Sequence, residues 1–325
     1  MSSRATIDRF LGAYSDGRYF NALVNRPSPH RLRQPPELVY HAALHPLEPQ
    51  FTIVTPAFNC APAIADYIEA TAAAASLPFD WILVDDGSAD GTAERAAALL
   101  QASPSPLVAR ATIVRNPTPI FETACDNIGF WLAETDVIIE VQSDIYVREV
   151  AFDALVLRTL APTPRPAAVS GRCGHSFFSL RGAFVRAVLG GRRDECIGLC
   201  GKLIETPSAI EPLQRHVYRC ETVPRGPWAV CKSDLERVGY LDERYFFLGN
   251  DDHDYHRRLC DATGRRPVYL PMAIESPLRL GANRRPRTGV NRTVFECLRR
   301  EKRGSPAFRR FLAAQRRAVL PQRIA

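Results

Sequence analysis

The stretch WILVDDGSADGT, residues 81–92, joins an apolar run to two adjacent carboxylates and a glycine-containing turn. Such a run is typical of a buried strand, which places Asp85 and Asp86 at its carboxyl end. Buried carboxylates without partners are unfavourable by several kcal/mol each, so this strand end needs something that compensates them. Either they bind a ligand there, or one of them caps the helix that follows.

The same order of strand and helix recurs on both sides of this stretch. Apolar, β-branched runs begin at Phe51, Trp81, Ala109 and Asp136, and helical segments follow the first three. Fully apolar strands that alternate with helices predict an α/β fold, with a mostly parallel central sheet and helices on both faces. Ligands of such sheets bind beyond the carboxyl ends of the strands, which here carry PAFN, DDGS, RNP and SD.

The composition predicts a globular protein in a reducing compartment. The chain has 325 residues, of which 46% are hydrophobic, and this is enough for a large core. Its nine cysteines are odd in number and contain no CxxC pair, which favours the cytoplasm over a disulfide framework. Neither a membrane-spanning apolar run nor a signal-peptide core is present. We therefore expect a cytoplasmic protein with at most peripheral membrane contact.

The positive charge is concentrated at the end of the chain. The formal net charge is +7, but the segment from Asn283 onward carries 13 Lys and Arg against two Glu, so the preceding part is net negative. Basic and apolar residues alternate in this segment, which predicts short amphipathic helices. Their arginines could contact an anionic membrane or only solvent, and both interpretations stay open. No nucleic-acid-binding module accompanies the charge, so we expect no nucleic-acid partner.

Two motifs near the start of the predicted sheet resemble those of a known enzyme family. FTIVTPAFN, residues 51–59, and ILVDDGSADGT, residues 82–92, are similar to the first two strands of the family 2 glycosyltransferases. These enzymes have the GT-A fold and use nucleotide-sugar donors such as UDP-sugars. In the family the first strand ends in P-x-[FY]-N, and the second Asp of the second strand contacts the nucleobase. The donor-binding residues implied by this resemblance are Pro56, Ala57, Phe58, Asn59 and Asp86.

A third motif follows the third predicted strand. ATIVRNPTPIFETACDNIGF, residues 111–130, resembles the family segment that contains an N-x-G sequence, retained here as Asn127 and Gly129. The resemblance implies that Asn127 contributes to the donor site. Phe121 stands where the family usually has a glycine.

The fourth predicted strand ends where the family binds a metal ion. VIIEVQSDIYV, residues 137–147, aligns with the family's D-x-D motif, with Gln142 in the first position and Asp144 in the last. The resemblance implies that Asp144 binds Mn²⁺ or Mg²⁺ and that Gln142 and Ser143 contact the donor. One carboxylate can suffice, because such ions keep several waters and bind diphosphate oxygens. The alternative is a strand-end Asp that caps a helix.

An acidic cluster further along resembles the catalytic half of the family. In residues 225–259 the sequence GNDDHDYHRRL matches an acidic cluster followed by an Arg-bearing helix. The resemblance gives Asp252 the role of general base, which deprotonates the acceptor hydroxyl as it attacks with inversion. Asp251 is the substitute candidate, and Asp254 is expected to orient the helix start. Helix capping by any of the three is the alternative.

Arg172 and Trp228 each allow two interpretations, and Arg225 has one candidate role. Arg172, beside a glycine-rich strand end, could touch the sugar or diphosphate or lie at the surface. Trp228 could stack on an acceptor sugar or belong to the core, and Arg225 could neutralise phosphate.

The remaining metal ligands are open. His253 and His256 could bind a metal or be bystanders. The family's late histidine is absent, so Glu275 or water could take its place.

The predicted domains follow these motifs. Residues 1–48 form a Pro/Arg-rich extension, 49–277 a catalytic domain, and 278–325 a basic helical tail. The catalytic domain divides into a nucleotide-binding half, 49–148, and an acceptor half, 149–277.

The function favoured by the resemblance is metal-assisted, inverting transfer of a sugar from a nucleotide-sugar donor to a hydroxyl of a glycan or lipid-linked glycan. The alternative is a catalytically inactive nucleotide-sugar-binding or scaffold protein of the same fold. A nicotinamide-dependent oxidoreductase is excluded, because TPAFNCAPA lacks the glycines of the dinucleotide fingerprint.

Overall fold

The fold is described by a computed structural model, which covers residues 3–24, 34–172, 217–219, 222–243 and 251–275. The strands are β1 (Glu37–Ala43), β2 (Phe51–Ala57), β3 (Phe79–Asp85), β4 (Val108–Arg115), β5 (Val137–Glu140), β6 (Tyr146–Val147), β7 (Val169–Ser170), β8 (Tyr218–Arg219), β9 (Trp228–Cys231), β10 (Val268–Tyr269) and β11 (Ile274–Glu275). The helices are α1 (Ser3–Ser15), α2 (Arg18–Asn21), α3 (Ile64–Ala74), α4 (Thr92–Ala102), α5 (Glu122–Leu132), α6 (Phe152–Leu160), α7 (Lys232–Val238) and α8 (Asp251–Thr263).

Nine of the strands in the described ranges form one sheet, in the order β1-β4-β3-β2-β5-β9-β7-β10-β8. Its centre, β4-β3-β2-β5, is parallel, whereas β1 and β9 flank this centre in antiparallel orientation. β6 and β11 pair separately. In the central part the chain reverses direction across the sheet at β2, which lies between β3 and β5, and ligand-binding crevices of open α/β sheets occur at such points.

Both faces of the sheet are covered, as the apolar strands predict. Along β3, Trp81 and Leu83 belong to one hydrophobic core, with residues of α3, α4 and α6. Ile82 and Val84 alternate with them and belong to a second core, with residues of α1, α5 and α8. This period of two follows from the geometry of a strand. The predicted α/β fold with a parallel centre and helices on both faces is confirmed.

The amino-terminal region contains one element that the sequence analysis did not place. α1 packs on α5, with Phe10 and Trp131 ring centroids 5.3 Å apart, which agrees with an extension lying on the main domain. β1, however, pairs with β4 and extends the sheet before the predicted domain start at residue 49. Its residues are not alternately buried and exposed. An edge strand of this kind carries little periodic signal in the sequence.

Some expectations fall on residues that the structure does not describe. The predicted basic tail, 278–325, lies outside the described ranges. Within these ranges, no helix combines the length and apolar character needed to cross a membrane.

Candidate active site

The start of α5 is the meeting point of the predicted site segments. Asp86, after β3, accepts hydrogen bonds from the backbone amides of Ile120 at 2.6 Å and Phe121 at 2.9 Å. Gln142, after β5, donates to the Glu122 carboxylate. The Thr123 hydroxyl donates to Asp251 of α8 at 2.6 Å. Segments far apart in the chain therefore converge on residues 120–123, at the carboxyl edge of the sheet.

Asp86 is fully buried and both of its oxygens are used by the chain itself. The hydrogen bonds that it accepts from these two amides hold Phe121 in place. The φ of Phe121, 77°, lies in the region that favours glycine. The family glycine is thus replaced here by a residue in a glycine-like conformation, and Asp86 compensates for the strain by anchoring its amide.

The ends of β2 and β3 are joined by hydrogen bonds. The Asp86 amide donates to the Ala57 carbonyl at 2.8 Å, and the Asn59 amide donates to the Ser88 hydroxyl at 2.9 Å. Asn59 has a φ of 47° and is exposed, while Pro56 and Ala57 are buried and Phe58 is half-buried. This edge therefore exposes the loop tip rather than the strand.

Asn127 is an internal connector. It is fully buried on α5, and its side-chain amide donates to the Leu241 carbonyl at 2.9 Å, while its oxygen accepts from the Leu241 amide at 2.9 Å. Next to it, Gly129 packs against Val54 of β2 so closely that a methyl group would not fit. The N-x-G motif accordingly ties α5 to the sheet and to the segment before α8.

The residues after β5 form the rim of the site. Gln142, Ser143 and Asp144 are half-buried in a turn. The Ser143 hydroxyl hydrogen-bonds the buried Cys60 thiol. Arg172 donates to the Arg225 carbonyl at 3.1 Å and to Gln142 Oε1 at 3.5 Å. Arg172 thus lies at this rim, beside Gln142.

Arg225 is a buried cation among carboxylates. It is 4% exposed. Its guanidinium pairs with Glu122 at 3.1 Å, with Asp251 at 2.9 Å and, more closely, with Asp126. Burial alone would lower the pKa of Arg225, but the charges of Asp251 and Glu122 outweigh it and raise this pKa. Arg225 therefore neutralises protein carboxylates, which occupy the guanidinium that was considered for phosphate.

The three aspartates at the start of α8 have different environments. Asp251 accepts from Thr123 and Arg225, and Asp254 pairs with Arg258 at 2.8 Å. The Asp252 carboxylate instead accepts from the His253 amide at 2.7 Å. The structure therefore separates Asp252 from its neighbours, which are held by arginines.

Their protonation also differs. Burial raises the pKa of Asp251 to about 6, although Arg225 opposes the shift. Burial would likewise raise the pKa of Asp252, but His253 and Arg225 outweigh it and the pKa is lowered. Asp252 is thus an ionised carboxylate at neutral pH.

Trp228 and His256 lie in the core behind this cluster. Both are fully buried, and the Trp228 indole donates to His256 Nε2 at 3.1 Å. The other ring nitrogen of His256 lies 2.9 Å from the Thr222 hydroxyl. Burial lowers the pKa of His256 to about 3, so the ring is neutral. His256 therefore has no nitrogen left for a metal ion, and Trp228 presents no ring face to a sugar in this structure.

A group of carboxylates that can hold a cation lies beneath the rim. Glu122, Asp126 and Glu140 each offer one oxygen, and these oxygens all lie within 4.8 Å of one another. Burial, followed by the charge of Glu122, raises the pKa of Glu140 well above its usual range. The sequence analysis missed this group. The available signal was an acidic residue within the apolar run VIIEV, on the same strand face as Gln142.

Residues 52–159 match the family model described as Glycosyl transferase family 2. This matched part, about a third of the chain, is similar to the family 2 glycosyltransferases. This confirms the resemblance drawn from the motifs. The matched range contains Asp144 and the residues predicted to bind the donor from Pro56 to Ser143, whereas Arg172, Trp228 and the aspartates of α8 lie beyond it.

The fold of the chain resembles solved glycosyltransferase structures. The mannosyltransferase PcManGT from Pyrobaculum calidifontis, in complex with GDP-Man and Mn²⁺, has a TM-score of 0.53 at 18% identity, covering 96% of this chain and 79% of that chain. S. aureus TarS has a TM-score of 0.48 at 13% identity, covering 70% of this chain and 36% of that chain. The sequence matches no curated protein at a significant level. The likeness to PcManGT agrees with the predicted GT-A fold.

The burial of Asp85 makes the stability of the fold depend on pH. Burial raises the pKa of Asp85 to about 6, against hydrogen bonds from Ser88, and its Oδ2 is buried without a hydrogen-bond partner in the part of the chain that the structure describes. The folded state therefore binds a proton more readily than the unfolded state does. The free energy of unfolding should decrease as pH rises from about 4 to about 6.

We expect Asp85→Asn to remove on the order of 2 kcal/mol of this pH dependence. Urea unfolding at a series of pH values measures it. The matched control is Asp66→Asn, an exposed position on α3, which should retain the wild-type curve. Identical pH curves for Asp85→Asn and wild type would contradict the prediction.

Proposed function

We propose that the protein is a metal-assisted, inverting glycosyltransferase that moves a sugar from a nucleotide-sugar donor to a hydroxyl of a glycan or lipid-linked glycan. The observation that carries the proposal is the convergence of Asp86, Gln142 and Asp251 on residues 120–123. It brings the donor-side strand ends and the acidic start of α8 to one edge of the sheet. The family 2 match supports the same reaction class.

In this proposal Asp252 is the general base. Its carboxylate is ionised and is not paired with an arginine among the described residues, whereas Asp251 and Asp254 are. It accepts the proton of the acceptor hydroxyl while the oxygen attacks the anomeric carbon opposite the departing nucleoside diphosphate. Asp251 keeps its proton to a higher pH than Asp252 does, because its pKa is raised to about 6. Asp254 pairs with Arg258, which donates to backbone carbonyls at the end of α7.

On the donor side, Asn59 and Phe58 line the exposed loop tip, while Asp86 holds the loop that follows β4 and is proposed to contact the nucleobase from there. Gln142, Ser143 and Arg172 lie at the rim, beside Asp144. Asp144 is proposed to hold Mn²⁺ or Mg²⁺, because an aspartate at a strand end is a hard oxygen ligand. A bound ion would neutralise the diphosphate. Glu275 pairs with Arg148 at 2.8 Å, so it could act as a further metal ligand only if that ion pair opened.

The first experiment is a thermal-shift panel of nucleotide sugars with Mn²⁺, since a ligand that binds the native state raises the melting temperature. GDP-sugars come first, because the PcManGT structure contains GDP-Man and Mn²⁺, and UDP-sugars follow, as the resemblance of the motifs implies. Product analysis with the selected donor then tests inversion. The scaffold alternative predicts binding without donor hydrolysis, in wild type and in Asp252→Asn alike.

Asp144→Ala is expected to lower the metal-stimulated affinity for the donor by about 100-fold, the upper end of the losses seen on changing metal-site surroundings. Calorimetry with the selected nucleotide sugar, with and without Mn²⁺, measures this change. Asp66→Ala, at an exposed position of α3, is the control and should bind as wild type does. Unchanged affinity of Asp144→Ala in the presence of Mn²⁺ would refute the assignment.

A further inference from the structure

Two oxygens beneath the rim lack partners although their residues are fully buried. Asp126 and Glu140 are both 0% exposed. Asp126 uses one oxygen for Arg225, and Glu140 uses one for the Gly226 amide at 2.8 Å. The other oxygens, Asp126 Oδ1 and Glu140 Oε1, accept no hydrogen bond from any residue that the structure describes. Buried carboxylate oxygens are normally satisfied, so these two indicate a ligand.

The charges around these oxygens do not balance. Glu122, Asp126, Glu140 and Asp251 lie around Arg225, which pairs with three of them. Arg172 is the second cation in this group, since it interacts electrostatically with Glu140. If all four carboxylates are ionised, their charge exceeds that of the two guanidinium groups by two negative charges. A divalent cation compensates this excess.

The spacing also suits a cation. The oxygens offered by Glu122, Asp126 and Glu140 all lie within 4.8 Å of one another. Because 4.8 Å is the upper limit, an ion at the centre of three oxygens at that separation lies about 2.8 Å from each, and oxygens about 4.2 Å apart give bonds of about 2.4 Å, within the range for Ca²⁺. Three carboxylate oxygens and waters form the hard ligand set that these ions prefer.

The geometry points to a divalent-cation site formed by Glu122, Asp126 and Glu140, separate from the proposed donor-linked metal at Asp144. The site does not depend on the nucleotide, because all three ligands belong to the protein. It also does not depend on glycosyl transfer. A cation there would join the start of α5 to the end of β5, and Gln142, which donates to Glu122, lies between it and Asp144.

The test is a titration of the full chain with Mn²⁺ alone, followed by electron paramagnetic resonance of free Mn²⁺ and by calorimetry. The wild type should bind one ion without nucleotide. Glu140→Gln and Asp126→Asn, which keep the side-chain shape, should lower that affinity at least about 10-fold. Asp144→Ala should retain it. Mn²⁺ should raise the melting temperature of the wild type and of Asp144→Ala, but not of Glu140→Gln.

Three results would overturn the site. They are no saturable Mn²⁺ binding to the wild type, equal binding by Glu140→Gln, and loss of the nucleotide-independent ion in Asp144→Ala. The first would mean that protons and the two arginines alone balance the carboxylates. Circular dichroism of each variant without metal verifies that it folds, and a variant that does not fold is replaced by Glu122→Gln. Donor hydrolysis is measured separately, so that failure of the transferase proposal is distinguishable from failure of this site.

Discussion

Replacing Asp252 with Asn is expected to lower the rate of glycosyl transfer by about 10²–10⁴-fold, the contribution typical of a positioned general base. The amide cannot accept the proton of the acceptor hydroxyl. Donor affinity should stay within a few-fold of wild type, because the donor-side residues belong to other strand ends. The loss should therefore fall on kcat rather than on donor binding.

The structure supports Asp252 over its two neighbours. Asp251 is bound to Thr123 and Arg225, and Asp254 is bound to Arg258. Removing either of those carboxylates disrupts the packing of α8, so those variants should lose stability together with activity. Asp252→Asn should lose activity while its unfolding transition stays close to that of wild type.

Steady-state transfer to the acceptor, together with urea unfolding, separates these effects. The matched control is Asp261→Asn, the same substitution at an exposed position of α8, which should be as active as wild type. Full activity of Asp252→Asn would exclude it as the base and direct attention to Asp251. Inactivity of both the wild type and Asp252→Asn with every donor that binds would favour the scaffold alternative.

Replacing Arg225 with Met is expected to lower the free energy of unfolding by about 3–5 kcal/mol, the range seen when one partner of a buried ion pair is removed. Glu122, Asp126 and Asp251 would lose the guanidinium that they share. The variant should regain part of its stability as pH falls, because protonation removes the uncompensated charges.

Urea unfolding in EDTA, at neutral and mildly acidic pH, measures this effect without any bound cation. The control is Arg148→Met, which removes a half-exposed arginine paired with Glu275 and should cost at most about 1 kcal/mol. If Arg225→Met does not fold, Arg225→Lys keeps the charge and should give an intermediate loss. Equal decreases in the free energy of unfolding for Arg225→Met and Arg148→Met would show that Arg225 does not stabilise the carboxylate cluster.

The sequence by itself determined the order of strands and helices from Phe51 to Asp144, the resemblance to the family 2 glycosyltransferases, and the acidic residues of the matched motifs, but not the group of Glu122, Asp126 and Glu140. These predictions depend on local signals. The continuous apolar run of β3 predicts a strand, and the residues of α5 favour a helix. Neighbouring residues carry such signals, so one sequence is sufficient to detect them. The edge strand β1 was missed because it lacks that periodicity.

Only the tertiary structure decided which of these residues act together. Arg225 meets Asp126 across 99 residues of chain, and Thr123 meets Asp251 across 128. Nothing local in the sequence encodes such contacts, because they depend on how the strands are ordered in the sheet. Burial then separated three similar aspartates into an arginine-held Asp251, an arginine-held Asp254 and an ionised Asp252, and it assigned Trp228 to the core. The same convergence left oxygens of Asp126 and Glu140 buried without hydrogen-bond partners among the described residues, which no spacing in the sequence could predict.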